Sequence, residues 1–198
     1  MGAAKKLELI SEEDYLAGEL ISEVKHEYLG GTVHAMAGAR MGHNAIASNI
    51  LGILHQRLKG KPCRPFNSDT KVRIKLATRV RYYYPDVMVI CGVYSQEESF
   101  HAAPAVIVEV TSKSTRRIDH GEKRDAYLTL PSLEAYVIVE SGERKVTVWR
   151  RGEAGFSADV YSGGGAVVEL AGPDIDLLLD DVYESVTFPP VSADEEAD

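Results

Sequence analysis

Two carboxylates stand in apolar company. Asp86 follows Pro85 in YYYPDVMVI, and Glu109 sits inside the otherwise apolar run AVIVEV. Burying an ionised carboxylate costs several kcal/mol unless a cation compensates it. If the two runs are neighbouring strands, both carboxylates open into one cleft. Two hard oxygen donors, completed by water and a substrate phosphate, suit Mg²⁺ or Mn²⁺. The structural alternative is that Asp86 caps a turn and Glu109 pairs with an arginine.

Other residues extend this chemistry. Glu27, in KHEYLGG, is expected at the end of the first helix, as a third carboxylate of the metal shell or a solvated helix end. Lys123 shares a helix face with Asp119 at i−4 and Tyr127 at i+4. Either Lys123 and Asp119 form a surface ion pair worth ~0.3–0.5 kcal/mol, or the ammonium lies over a metal-bound water or a scissile phosphate. Of the 22 Lys and Arg residues, 12 fall within 61–81 and 113–124. Lys71, Arg73 and Lys75 alternate with apolar residues, so one strand face would be cationic. It would either track a phosphate backbone or protect a sheet edge. Arg116 and Arg117 open the helix bearing Lys123, where a helix N-terminus disfavours cations, and are further phosphate candidates. Tyr82, Tyr83 and Tyr84 read as packing residues that could also stack on bases. His26, His34 and His43 match no zinc spacing; His55, His101 and His120 read as surface or loop residues.

The elements that must position these groups follow from periodicity. Ser11, then Glu12, Glu13 and Asp14, reads as a capped helix start, with the helix running to about Lys25. A hairpin over 28–36 turns at Gly30-Gly31. Ala47, Ile50, Leu51, Leu54 and Leu58 mark an amphipathic helix over 43–59. Period two over 71–76 marks a strand. Asp86–Cys91 and Ala105–Val110 read as central strands buried on both faces. A helix over about 116–130 and strands over 134–140, 145–150 and 155–161 follow, and 174–186 closes the domain.

Composition bounds the reading. The chain has 198 residues, 44% of them hydrophobic, with a net charge of −8. That suits one globular domain, expected over 1–187, with an acidic, disordered tail over 188–198. The acidic balance argues against a protein that coats nucleic acid indiscriminately, unless the basic stretches gather on one face. No apolar run reaches the ~18 residues of a membrane span, and MGAAKKLELISEEDY lacks the apolar region of a secretory signal. Cys63 and Cys91 are expected to be reduced thiols in a cytoplasmic protein.

The run YYYPDVMVI, then PAVIVEVTSKSTRRIDHGEKRDAYLTLPSLEAYVIVE, together with ISEEDYL, HEYLGGTVHAMAG and NSDTKVRI, resembles the Uma2 family over roughly residues 10–185. That family lies within the PD-(D/E)XK restriction-endonuclease-like superfamily. The resemblance implies an α/β (α+β) restriction-endonuclease-like core, a mixed β-sheet flanked by helices, and Mg²⁺-dependent cleavage of phosphodiester bonds. By the same likeness Asp86 matches the Asp of PD, Glu109 the Glu of (D/E)XK, and Glu27 the Glu of the first core helix. Thr111 stands where the superfamily has Lys. Lys123, in a D-x-x-x-K-x-x-x-Y run with Asp119 and Tyr127, is its migrated equivalent, and Lys113 is a second candidate. His43 resembles a recurrent His at the second helix, expected to cap it or contact phosphate.

The expected site is therefore Glu27, Asp86, Glu109 and Lys123 as catalytic residues. Asp86, Glu109 and the Val110 carbonyl would hold Mg²⁺ or Mn²⁺, and His43, Asp119 and Tyr127 would support them. Lys71, Arg73, Lys75, Lys113, Arg116 and Arg117 would bind nucleic acid, more readily DNA. The chain would be a cytoplasmic endonuclease and a homodimer, without a membrane partner. A binding or regulatory module on the same fold fits the acidic balance and the missing in-motif lysine; the Glu27–Asp86–Glu109 set fits an enzyme.

Overall fold

The computed structural model describes residues 9–170 and 172–188. The start MGAAKKLE and, beyond Phe188, the acidic tail expected to be disordered lie outside the described residues. Among the described residues no helix is long and apolar enough to cross a membrane.

The chain runs α1 (Glu12–Glu19), β1 (His26–Leu29), β2 (Thr32–Ala35), α2 (Met41–Leu58), β3 (Cys63–Asn67), β4 (Lys71–Lys75), β5 (Val80–Tyr83), β6 (Val87–Cys91), β7 (Phe100–His101) and β8 (Val106–Thr111). A helical segment follows: α3 (Arg116–Ile118), a π-helical turn (Asp119–Lys123) and α4 (Arg124–Tyr127). It leads to β9 (Ala135–Glu140), β10 (Lys145–Gly152), β11 (Gly155–Ser162), β12 (Val167–Leu170), β13 (Ile175–Leu178) and α5 (Leu179–Val182).

The strands form a six-stranded sheet ordered β11-β10-β9-β8-β6-β3, a five-stranded sheet ordered β2-β1-β5-β4-β7, and the β12-β13 hairpin. In the larger sheet β6 runs antiparallel to β8, and β8 parallel to β9. This is the expected mixed α+β architecture.

The double-sided burial of β6 and β8 follows from their uninterrupted apolar runs. Val87, Val89, Val106, Val108 and Val110 pack against Ile46, Ile50, Leu54 and Leu58 of α2. Met88, Ile90 and Ile107 alternate to the other face, where they meet Val72 and Ile74 of β4, Tyr83 of β5 and Tyr127 of α4. The six-stranded sheet is thus clasped between α2 and a second layer, and the loops at one end of β6 and β8 are held from both sides.

The structure corrects three expectations and adds one element. First, α1 stops at Glu19 instead of running to about Lys25: Leu20, Ile21 and Val24 are exposed, so no buried face sustains a further turn. The Ser22 hydroxyl instead accepts the Val24 N–H, turning the chain into β1. Second, Glu27 therefore lies on a strand, not on a helix end. Third, residues 63–67, to which periodicity assigns no element, form a strand despite Pro65, because β3 is an edge strand and needs no inward N–H there. Fourth, Cys63 and Cys91 are disulfide-bonded rather than free. They face each other directly across the β3–β6 ladder, with Cα atoms 3.9 Å apart.

Candidate active site

Asp86 immediately precedes β6, level with Val110 and Glu109 near the end of β8. Its Oδ2 accepts the Val110 N–H at 2.7 Å, so the neighbouring strand orients the carboxylate. His43 Nε2 reaches the same oxygen at 3.3 Å from the first turn of α2. Burial is the largest single influence on His43 and lowers its pKa. The hydrogen bond and charge of Asp86, with Asn44 and Val110, outweigh it and raise the pKa overall. Arg40, not His43, stands at the helix cap, so the expected capping role gives way to a contact with Asp86. His43 Nδ1 is buried with no hydrogen-bond partner.

Glu109 is buried in the face opposite α2. Its Oε1 accepts the Tyr127 hydroxyl at 2.8 Å and Lys123 Nζ at 3.1 Å. Lys123 is nearly as deep, and its ammonium also lies 3.0 Å from Glu27 Oε1 and 3.8 Å from Asp119 Oδ1. The Asp119–Lys123 pair is therefore internal, not the surface pair that was the plainer alternative. A wider π turn lets residues 119, 123 and 127 all address the sheet. Three separate elements thus meet at one ammonium: β1 supplies Glu27, β8 Glu109, and the π turn Asp119.

Charge at this centre is unbalanced. Burial pushes the Glu109 carboxyl up to about 8; Lys123 opposes the rise, while Asp119 and Asp86 add to it. Lys123 loses stability as a cation through burial, but Glu109, Glu27 and Asp119 more than restore it, leaving its pKa raised. Three carboxylates, Glu27, Glu109 and Asp119, share one ammonium, an excess of acidic groups that a divalent cation would relieve. Among the described residues no group of three His, Cys, Asp or Glu side chains is pre-arranged as a metal site, which also leaves the histidine trio without a shared ion. Asp86 and Glu109 alone provide two hard oxygen donors. Mg²⁺ commonly takes one or two carboxylates and fills its shell with water and phosphate, so these residues fit it.

The expected phosphate contacts divide sharply. Lys71 is buried, its ammonium bonded to Tyr84 Oη at 3.3 Å and Ser99 Oγ at 3.0 Å. Arg73 forks onto Glu12 Oε1 through Nε at 2.9 Å and Nη2 at 2.8 Å. Of the supposed cationic face of β4, only Lys75 is exposed. Period two placed the three cations on one face correctly, but α1 and the loop before β7 cover it. Tyr82, Tyr83 and Tyr84 are buried and cannot stack on bases. Lys113, Arg116 and Arg117 are exposed beside the site.

Sequence reasoning passed over Glu140 and read His120 as a surface or loop residue, whereas it lies partly buried on the π turn. Glu140 ends AYVIVE as a buried carboxylate, and its Oε1 lies 3.1 Å from His120 Nε2 and 3.4 Å from Arg116 Nη2. The signal was available: it is the same pattern, an acid in an apolar strand, that marked Glu109.

Comparisons with known proteins agree with this architecture. The family model Uma2, described as "Putative restriction endonuclease", matches residues 12–178. Two uncharacterised Synechocystis proteins resemble the chain. One, slr1290, is 29% identical over 180 residues, covering 90% of this chain and 94% of the relative. The other, sll1609, is 30% identical over 135 residues, covering 67% of this chain and 75% of the relative. A crystal structure from Anabaena variabilis, of "a putative nuclease belonging to DUF820", superposes with a TM-score of 0.67 at 17% identity, covering 82% of this chain and 91% of that one. At that identity the likeness speaks to the fold alone. The sequence match extends from α1 through β13 and takes in every side chain gathered around Lys123, and on that span the protein belongs to the Uma2 family of restriction-endonuclease-like proteins.

Proposed function

We propose that the protein is a metal-dependent endonuclease that hydrolyses nucleic-acid phosphodiester bonds, with DNA the preferred substrate. One observation carries the reading: Glu109 is buried near Asp86, and Glu27, Glu109 and Asp119 share the single ammonium of Lys123. Asp86 and Glu109 would hold Mg²⁺ or Mn²⁺, with the Val110 carbonyl as a further donor. When bound, the ion supplies a more acidic water and neutralises phosphate charge.

The chain's own groups do the rest. Val110 N–H and His43 fix Asp86 in one orientation, while Tyr127 fixes Glu109. Glu27 and Asp119 hold the Lys123 ammonium in place and charged, ready to meet negative charge developing on a phosphate. Lys123 thus does from the following helix what the in-motif lysine does elsewhere in the superfamily. Lys113 and Arg117 would contact flanking phosphates, and a homodimer would present two such centres to a duplex.

A second reading has one specific support. Lys123 already bridges Glu27 and Glu109, so the centre holds together as an ion pair, as a module that binds nucleic acid without cutting it would require. Supercoiled plasmid and labelled single strands, incubated with Mg²⁺ or Mn²⁺, separate the two. Metal-dependent cutting by the wild type, abolished in Glu109→Ala, is the expected result. Binding without cutting favours the module. In a parallel Mn²⁺ titration, Asp86→Ala should lose more than the ~10–100-fold affinity that removal of an outer-shell partner costs; unchanged affinity would sink the ligand assignment.

A further inference from the structure

Glu140 is a second carboxylate buried at the end of an apolar strand, 5% exposed, and the proposed reaction leaves it unused. In the parallel register of β8 and β9, Glu109 lies beside Ile138 and Thr111 beside Glu140. Strand alternation then puts Glu140 on the same sheet face as Glu109, one strand over and two residues on, or roughly 8 Å away. Its backbone is anchored too, since its carbonyl accepts the Tyr183 hydroxyl at 2.9 Å. The carboxylate gathers two donors that both reach solvent: the side chains of His120 and Arg116 are 32% and 50% exposed. Each gives one nitrogen to Glu140. Arg116 has further guanidinium N–H groups, and His120 has its Nδ1. Both rise from the same helical segment that carries Lys123, on the side facing Glu140.

We propose that Glu140 is a positioning residue that holds Arg116 and His120 as a subsite for a nucleic-acid phosphate, about one or two nucleotides along the strand from the phosphate at Asp86 and Glu109. The subsite rests on the endonuclease reading for its purpose. A planar guanidinium held in one orientation suits phosphate better than a mobile one, because less side-chain freedom is lost on binding. When protonated on both nitrogens, His120 supplies a second donor, its Nδ1–H, at a fixed offset. The buried carboxylate keeps both in register with the centre across the β8–β9 ladder.

The sign of one substitution distinguishes positioning from bulk charge. Glu140→Gln removes a negative charge from an acidic protein, so electrostatics alone would tighten nucleic-acid binding. Positioning requires the opposite. The probe is a short single-stranded thymidine oligonucleotide without added metal, followed by the NMR signals of the His120 ring. We expect saturable movement of His120 in the wild type and about tenfold weaker binding by Glu140→Gln. Arg116→Ala, at a half-exposed side chain, should lose as much, and the double variant should lose little more. Equal or tighter binding by Glu140→Gln, unchanged binding by Arg116→Ala, or a His120 signal that does not move in the wild type would each overturn the subsite. Plasmid cutting is scored separately: a responsive His120 in a protein that cuts nothing would remove the enzyme and keep the subsite.

Discussion

Replacing Glu109 by glutamine probes the charge balance at the centre directly. In the folded, metal-free chain burial raises this carboxyl from the usual 4.5 to about 8. At ~1.4 kcal/mol for each factor of ten in acidity, the buried anion costs up to roughly 5 kcal/mol. Between those two values the folded chain keeps a proton that the unfolded chain has released. The native state then binds more protons, so stability falls as pH rises from 4.5 to about 8, and levels beyond. Glutamine keeps an oxygen for Tyr127 and Lys123 but has no proton to lose, and Lys123 retains Glu27 at 3.0 Å. Metal-free Glu109→Gln should therefore lack this decline and, above the upper pH, exceed the wild type by several kcal/mol. Urea unfolding in the presence of a chelator, at both ends of the interval, measures the difference. Added Mn²⁺ should restore the wild type at the alkaline end and leave the variant unmoved. A wild-type stability that stays level across the interval, or a variant that declines in parallel, would mean that Lys123 and Tyr127 compensate Glu109 fully, and the charge argument would be refuted.

Lys123→Met leaves Glu27, Glu109 and Asp119 without their shared cation and should destabilise the fold by about 3–5 kcal/mol, read from the denaturant midpoint. A loss below ~1 kcal/mol would class the cluster with surface ion pairs instead. Reducing the bond between Cys63 and Cys91, 28 residues apart, should cost about 3–4 kcal/mol of stability by freeing that loop in the unfolded chain. Thermal unfolding with and without reductant checks this, and coincident curves would contradict it.

Much of the site was legible in one dimension. Uninterrupted apolar runs marked β6 and β8 as doubly buried, and an acid inside such a strand must find a cation wherever the chain goes. Helical spacing put Asp119, Lys123 and Tyr127 on one face, and the structure seats that face on Glu109. The same reasoning, applied to AYVIVE, would have reached Glu140. These features are local: period and residue type determine them before any tertiary contact forms.

Other outcomes depended on what lay opposite. Alternation along β4 set Lys71, Arg73 and Lys75 on a common face, but whether that face met water was decided by α1, whose Glu12 takes Arg73, and by Ser99, which takes Lys71. Glu27 looked like a helix end because the acidic, capped start of α1 gives no signal for where its buried face runs out. Cys63 and Cys91 met only through the register of an edge strand that contains proline. Period tells which residues share a face; packing between elements distant in sequence decides which faces meet, and so which charges are compensated and which remain available to a substrate.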